Sequence, residues 1–320
     1  MLILQQQRGD KRMAESQGGP LPKTNISVRD YLSMDHICSA AFFARKVHEI
    51  EERYNKSPKP KQNPTDRQLY EHTAYAINSI FAARAYLEAV INHVFLDAVQ
   101  YADGNVPHDS IVASLTPEIV RNMATAWGSG VDSSKFGNRV AFLVSRSSTN
   151  KGKTIFKSSV ERWGPAENKY QCALVLAGKE PFDGTEGELK SVCVLRMLRN
   201  ELVHHKPTWI TYDLGEELYR SEGFHLDKLA NELKIQLTKY YVTKYGKDPN
   251  SINPNPIKNQ LDPYSIHFPR GYLGATCAAW GIKSSMDFTE KFFSNMEIDW
   301  LKLKDPHFKK VCRSLTRFDK

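Results

Sequence analysis

Apolar residues along this chain recur mostly at the three- and four-residue spacing of amphipathic helices. The longest such segment, residues 65–102, is apolar on nearly every side, which predicts a helix buried among other helices or at a subunit interface. Shorter segments with the same periodicity predict helices over residues 35–54, 116–127, 166–176, 188–205, 226–245 and 275–296. The pattern therefore predicts an all-α fold, a helical bundle with long loops and at most a minor strand element.

Local signals predict where three of these helices begin or end. Asp35 is a candidate N-cap of the first helix, because its carboxylate can accept hydrogen bonds from the N–H groups of the first turn. Thr116 is a candidate N-cap of the third helix, with Pro117 at the first helical position, where no N–H is needed. Gly178 is predicted to end the helix of residues 166–176.

Two regions depart from this helical pattern. Residues 1–28 are polar after a four-residue apolar start, which predicts a disordered tail and not a secretory signal. Residues 208–271 are predicted to be an insertion or long-loop region, in which residues 209–215 are the best strand candidate and the last part is rich in proline. The chain is otherwise predicted to form one helical domain, residues 29–320.

The composition is that of an ordinary globular protein, with 41% hydrophobic and 25% charged residues. No apolar run approaches the roughly 20 residues that span a bilayer, so no membrane association is expected. The cysteines lie far apart without a C-x-x-C pair, which predicts reduced thiols, a cytoplasmic location and neither a metal site nor a cofactor. They are Cys38, Cys172, Cys193, Cys277 and Cys312.

A formal net charge of +8 suits an anionic polymer as partner. Residues 146–158 form a polar segment without acidic residues, and its basic residues are Arg146, Lys151, Lys153 and Lys157. The segment contains Gly-Lys-Thr, but a phosphate-binding P-loop needs a glycine five positions before Gly152, where Ser147 stands. Two interpretations remain: a solvated loop, which is favoured, or a contact to nucleic-acid phosphates.

The segment LRMLRNELVHHKP, residues 195–207, concentrates cations and histidines at the end of a predicted helix. At 100° per residue it divides into two faces. The stripe predicted to face the core consists of Val194, Leu195, Leu198 and Leu202. The opposite side carries Arg196, Asn200 and His204 at i, i+4 spacing, flanked by Arg199 and Val203.

The position of His204 affects its chemistry. Pro207 disfavours helical geometry at Lys206, which predicts that His204 lies in the final helical turn. There the helix dipole stabilises the imidazolium while nearby arginines oppose it, a balance that suits a histidine that transfers protons. The alternative is that Arg199 and His204 only complement the dipole of the helix C-terminus.

A second polar stripe on the long helix consists of Arg84, Glu88 and Asn92 at i, i+4 and i+8. A buried charge is costly unless it is paired, so Glu88 is expected to meet a cation. The favoured partner is Arg84, one turn away on the same helix. In the alternative, Glu88 positions Arg199. Arg84, Asn92 and Arg196 then belong, with Glu88, to the residues that hold the motif side chains in place.

The pattern Arg199-Asn200-x-x-x-His204, closing a helix before a proline, resembles the motif of the HEPN (higher eukaryotes and prokaryotes nucleotide-binding) family. That motif has an arginine, four to six further residues and a histidine, often with asparagine after the arginine. Three further segments are similar to bacterial HEPN-like proteins: FAARAYLEAVINHVF, ENKYQCALVLAGKEPF and CAAWGIKSSMDF. The specific part of this resemblance is six residues long.

The resemblance implies a helical domain that dimerises and brings two motifs into one cleft. Catalytic family members cleave RNA without a metal, through the 2′-hydroxyl, and leave a cyclic phosphate. Here His204 would act as general acid or base, Arg199 would hold the phosphate oxygens, and Asn200 would orient the histidine or bind the phosphate. The partner's copy of the histidine would supply the opposite proton transfer.

Two functions follow from this comparison. The first is a metal-independent endoribonuclease acting on RNA such as tRNA or mRNA, a toxin or anti-phage effector held in check by a neutralising partner protein. The second is a non-catalytic HEPN-like homodimeric module that binds protein or nucleotide.

Overall fold

The computed structural model describes residues 32–56, 65–104, 110–129, 165–184, 187–204, 224–246 and 269–299. Within these ranges the chain forms seven α-helices and no β-strand, which confirms the prediction of an all-α fold. The helices are α1 (Leu32–Asn55), α2 (Asp66–Ala102), α3 (Pro117–Ser129), α4 (Ala166–Leu176), α5 (Gly187–Val203), α6 (Phe224–Tyr245) and α7 (Ala275–Asn295). Short 3-10 turns occupy Ile111–Ser114 and Arg270–Tyr272.

Helices α1 and α2 form an antiparallel pair. The Ser79 hydroxyl donates to the Ala40 carbonyl at 2.9 Å, and further along, His72 Nε2 lies 2.9 Å from Glu51 Oε1. Helix α1 is already formed at Leu32, so the predicted N-cap at Asp35 is wrong. Asp35 lies instead inside the first turn, where its negative charge interacts favourably with the positive end of the helix dipole.

Helix α2 is the centre of the bundle and packs against α1, α3, α4, α5 and α7. This arrangement agrees with its nearly continuous apolar surface, because each side needs a neighbour to cover it. Gly281 on α7 lies where α7 meets α2 and α5: a Cβ there would come within 3.1 Å of Ile80 Cδ1 and 3.2 Å of Leu195 Cδ1. Glycine thus allows these three helices to approach closely.

Two of the predicted helix ends are confirmed. Helix α3 begins at Pro117, and the Thr116 hydroxyl accepts a hydrogen bond from the Ile119 N–H at 3.4 Å. Helix α4 ends at Leu176, and Gly178 follows with φ of +73°, in the left-handed region. There the Lys179 N–H donates to the Leu174 carbonyl at 2.9 Å, which satisfies a carbonyl at the end of the helix.

A buried carboxylate joins three helices at the far end of the α1–α2 pair. Glu51 on α1 is 8% exposed, and its Oε1 lies 2.9 Å from His72 Nε2 on α2. The same oxygen accepts a hydrogen bond from the Ala275 N–H, the first residue of α7, also at 2.9 Å. This contact fixes the start of α7 against α1 and complements the helix dipole there.

Several predicted regions lie partly or wholly outside the described residues. Residues 1–28 and the strand candidate at 209–215 are outside them, whereas α6 and residues 269–271 of the 208–271 region are described. Helix α6 packs on α5 and α7. Among the described helices, none combines the length and the apolar character needed to cross a membrane.

Candidate functional site

The predicted core stripe of α5 is confirmed. Val194, Leu195 and Leu198 are fully buried, and Leu202 is partly buried against the core. These residues fix the rotation of the helix, because they occupy the side that contacts α2 and α7. The residues on the other side of α5 are thereby turned away from the core.

The end of α5 agrees with the placement of His204 in the last turn. The His204 N–H donates to the Asn200 carbonyl at 2.8 Å, an i to i−4 helical bond, and α5 ends at Val203. The helix thus ends two residues before the predicted limit at His205, which lies outside the described residues. The side chains of His204 and Asn200 are exposed to solvent.

Arg199 is held by its neighbour in the sequence. Its Nη1 donates to Asn200 Oδ1 at 3.1 Å, and the residue as a whole is partly exposed. Among the described residues, no other group bonds this guanidinium, so its remaining N–H groups, a planar fork of donors, can bind a ligand. The side chain of Asn200 thus contacts the arginine, while its predicted roles, orienting the histidine or binding the phosphate, stay predictions.

Arg199 and Asn200 line an open cleft of about 870 Å³ between α2 and α5, a volume in the usual range of ligand sites. Its polar walls carry Arg84, Glu88 and Asn92 from α2, and Arg196, Arg199 and Asn200 from α5. The structure thus brings together the two polar stripes that the sequence analysis singled out. Val203 also lines this cleft, and the exposed His204 follows it in the chain.

The charged pairs behind the cleft differ from the prediction. Arg84 Nη2 donates to Glu167 Oε2 on α4 at 2.9 Å, and Lys169 Nζ on α4 donates to Glu88 Oε1 at 2.7 Å. The expected Arg84–Glu88 pair is therefore wrong. The physical reason is burial: the side chains of Glu167 and Lys169 are 6% and 4% exposed, so each needs an opposite charge within reach.

The alternative role of Glu88, positioning Arg199, has no direct contact behind it in the described part of the chain. Glu88 hydrogen-bonds Lys169, and Arg199 hydrogen-bonds Asn200. Asn92 also accepts from Lys169 Nζ, at 2.9 Å, and this ammonium lies 5.6 Å from the centre of the Trp127 ring. Glu88 and Asn92 thus fix α4 against α2.

Glu167 also faces the motif helix. Its Oε1 lies 3.8 Å from Arg196 Nε, so one carboxylate is close to two guanidinium groups, Arg84 at 2.9 Å and Arg196 at 3.8 Å. Among the described residues in and behind the cleft there are four cations and two carboxylates, which leaves an excess of two positive charges. The cations are Arg84, Arg196, Arg199 and Lys169, and the carboxylates are Glu88 and Glu167.

Three of these residues were missed by sequence reasoning. Glu167 and Lys169 carried one local signal, namely that they are charged residues in a short helix that is mostly buried. His36, on α1, lines the cleft as well. It gave no signal, because only the antiparallel packing of α1 on α2 brings it near the motif helix.

The other candidate chemistry is more limited. The basic residues Arg146, Lys151, Lys153 and Lys157 lie outside the described residues. Burial raises the pKa of the Cys277 thiol to about 12 and also raises the pKa of Cys172, so neither thiol is ionised near neutral pH. Within the described ranges, no three His, Cys, Asp or Glu side chains are grouped in a way that could hold a metal ion.

No family model, curated protein or solved structure matches this chain. The resemblance to the HEPN family therefore rests on the motif and the three similar segments of the sequence.

Proposed function

We propose that this chain is a metal-independent endoribonuclease of the HEPN type, with Arg199, Asn200 and His204 at its active site. The observation that carries the proposal is the geometry of the motif. Arg199 and Asn200 line a cleft of about 870 Å³ with an excess of positive charge, and the histidine at the end of the same helix is exposed. A cationic cleft beside an accessible imidazole suits a polyanionic substrate that needs proton transfer.

The reaction needs two proton transfers and one group to stabilise charge. A base removes the proton of the RNA 2′-hydroxyl, and the oxygen attacks the adjacent phosphorus. The bond from phosphorus to the 5′-oxygen breaks, and an acid protonates that oxygen, leaving a 2′,3′-cyclic phosphate and a 5′-hydroxyl. His204 serves as one of these groups, and Arg199 binds the phosphate oxygens as their charge grows.

A homodimer supplies the second proton transfer, because it places the His204 of the partner subunit on the other side of the scissile bond. Asn200 contributes through its 3.1 Å bond from Arg199, which holds the guanidinium in one orientation before substrate binds. In the cell such an enzyme acts in the cytoplasm as a toxin or anti-phage effector, and it requires a neutralising partner protein because it attacks tRNA or mRNA.

The test is cleavage of a mixed RNA pool by purified protein in EDTA, comparing wild type with His204→Ala. His48→Ala is a matched control, because His48 lies on α1 and contacts Glu52 at 3.5 Å, about 18 Å along the helix from the cleft residue His36. We expect His204→Ala to lose at least about 100-fold in rate and the control to lose nothing. Equal cleavage by all three proteins removes His204 from the mechanism, and an inactive wild type contradicts the ribonuclease.

The second candidate function, a non-catalytic homodimeric module that binds protein or nucleotide, is favoured by one observation. Val203, next to His204, is 44% exposed although it is apolar, which suits a dimer contact at the motif. This function predicts that Val203→Glu dissociates the dimer in light scattering while the wild type shows no ribonuclease activity. Val242→Glu, at an apolar position of α6 that is 39% exposed, is the matched control and should leave the dimer intact.

A further inference from the structure

We propose that Arg196 is a second phosphate-binding residue of the cleft, which holds a phosphate of the RNA strand other than the one that is cleaved. This role rests on the proposed ribonuclease function, whereas the binding of phosphate at Arg196 does not. It goes beyond the motif, since Arg196 is outside the Arg-Asn-x-x-x-His pattern.

The charges around Glu167 are unevenly matched. This carboxylate is 4% exposed and hydrogen-bonds Arg84 at 2.9 Å, so its charge is already matched. Arg196 Nε lies 3.8 Å from the other oxygen, beyond hydrogen-bond distance. Of the two guanidinium groups beside Glu167, Arg196 is therefore the one whose charge is less neutralised.

A ligand in the cleft can reach Arg196 more readily than Arg84. The Arg196 side chain is 33% exposed and lines the cleft, whereas the Arg84 side chain is 11% exposed. The buried Nε of Arg196 has no hydrogen-bond partner among the described residues. Glu167 Oε1, 3.8 Å away, is likewise buried without a hydrogen-bond partner, so Nε stays beside this carboxylate. The exposed part of the Arg196 guanidinium can donate to a phosphate oxygen that enters the cleft.

Arg196 also lies close to the motif along the helix. Arg196 precedes Arg199 by three residues and Asn200 by four, so the three side chains lie on neighbouring positions of one helix face. All three line the same cleft. Two guanidinium groups one helical turn apart, which is about 5 Å, can engage two successive phosphates of a flexible single strand.

The lining of the cleft indicates the class of ligand that Arg196 binds. Phe81, Ala85 and Ala89 form an apolar row at i, i+4 and i+8 along α2, beside the polar row of Arg84, Glu88 and Asn92. An apolar wall next to cationic groups suits a nucleotide unit, with the base against the wall and the phosphate on the arginines. A bare inorganic anion would make no use of this wall.

The experiment measures binding of a fluorescein-labelled 2′-O-methyl RNA hexamer by anisotropy, because this probe lacks the free 2′-hydroxyl and stays uncut. Arg196→Met is compared with Arg67→Met, which removes the same charge from an 86%-exposed arginine of α2, about 25 Å along the helix from Arg84. We expect Arg196→Met to weaken binding about tenfold and to lower the slope of log affinity against log salt by about 0.7. Arg67→Met should match the wild type in both.

Two further variants keep the test valid if Arg196→Met folds poorly. Arg196→Lys keeps the charge and should retain the salt slope while losing part of the affinity. Glu167→Gln removes the carboxylate that lies 3.8 Å from Arg196 and should tighten binding about threefold, because the cleft gains one net positive charge. Binding that is unchanged in Arg196→Met, or weakened in Glu167→Gln, overturns the proposal, as does a wild type that does not bind the hexamer.

Competition separates the two sources of phosphate. Adenosine monophosphate that displaces the hexamer from wild type, but not from Arg196→Met, assigns the site to a single nucleotide unit; an unlabelled hexamer that competes alone assigns it to a strand. Cleavage of unmodified RNA is scored separately. Binding with this pattern but without cleavage contradicts the ribonuclease and keeps the phosphate site, whereas cleavage with unaltered binding by Arg196→Met does the reverse.

Discussion

The guanidinium of Arg84 on α2 hydrogen-bonds the carboxylate of Glu167 on α4 at 2.9 Å, although Glu88 lies one turn from Arg84 on the same helix. The pair ties two helices together behind the cleft. Both side chains are almost fully buried, so desolvation offsets much of their attraction. The ion pair therefore contributes more to the relative position of α2 and α4 than to net stability. In the neighbouring ion pair Lys169 is buried and Glu88 is partly exposed, so the loss of each should have a different effect on stability.

We predict that Glu88→Ala destabilises the fold more than Lys169→Met. Lys169 is 3% exposed, so the loss of Glu88 leaves a buried ammonium with Asn92 as its remaining acceptor, at a cost of about 3 kcal/mol. Glu88 is 38% exposed and is rehydrated when the lysine is replaced by an apolar chain of similar length, so that change costs about 1 kcal/mol or less. Urea unfolding of both variants measures the difference, and equal losses contradict the explanation.

Removal of the Glu51 carboxylate should be more severe than its position at a helix end suggests. Glu51→Ala leaves two buried groups, His72 Nε2 and the Ala275 N–H, without their shared acceptor. We expect the free energy of unfolding to fall by about 3 kcal/mol. Glu49→Ala, which removes a partly exposed carboxylate two positions away, is the control and should change stability by less than about 0.5 kcal/mol.

A larger residue at Gly281 should separate packing from helix propensity. Gly281→Val places carbon atoms against Ile80 and Leu195, because even a Cβ alone would lie 3.1 and 3.2 Å from their side chains. The substitution should destabilise the fold by about 1–3 kcal/mol. At Gly128 on α3 no atom from elsewhere in the described part of the chain lies within 4 Å of a Cβ, so Gly128→Val makes the same change of residue type without a clash. Thermal unfolding that gives the two variants equal stability would show that the three helices do not meet closely.

Thiol reactivity should follow burial. With a pKa raised to about 12, about one Cys277 thiol in ten thousand is ionised at pH 8, and the pKa of Cys172 is also raised by burial. Both are expected to resist iodoacetamide in the native protein, while the partly exposed Cys38 and Cys193 react before them. Mass spectrometry of tryptic peptides reads this order, and early modification of Cys277 would contradict the packing of α7.

The contact between Arg199 and Asn200 leads to a prediction about rate. Asn200→Ala frees the guanidinium and should lower RNA cleavage about tenfold, whereas Arg199→Ala, which removes the charge, should lower it by about 100-fold or more. Neither variant should shift the melting temperature much, because both side chains are at least partly exposed. Asn78→Ala, at an exposed position of α2, is the control, and an Asn200→Ala enzyme as fast as this control contradicts the orienting role.

The sequence predicted those features that depend on a few neighbouring residues. Pro117 and Gly178 mark helix ends through backbone geometry alone, and the leucine stripe of α5 follows from helical periodicity. Thr116 and Asp35 look alike as N-caps, yet only Thr116 is one, because an acidic residue also suits the first turn of a helix. A local signal with two physical explanations cannot fix a boundary.

The candidate site was predictable in part. The motif could be placed on one helix face, but the partners of Arg84 and Glu88 could not, because Glu167 and Lys169 arrive from a helix far away in sequence. From the sequence alone, a pair within one helix is the best prediction. It is wrong here because the buried Glu167 and Lys169 each need an opposite charge and pair with Arg84 and Glu88. His36 joins the cleft for a similar reason: its location depends on how α1 docks.

The bond between Glu51 and Ala275 has a consequence for the order in which the molecule assembles. It joins residues 224 positions apart, so synthesis has to pass residue 275 before this carboxylate finds both of its partners. Until then the surfaces of Ile80 and Leu195 that α7 covers at Gly281 face solvent, in the state in which growing chains aggregate or recruit chaperones. Since α2 and α5 form the walls of the cleft, a nascent chain carries Arg199 and Asn200 well before it holds them in a finished site.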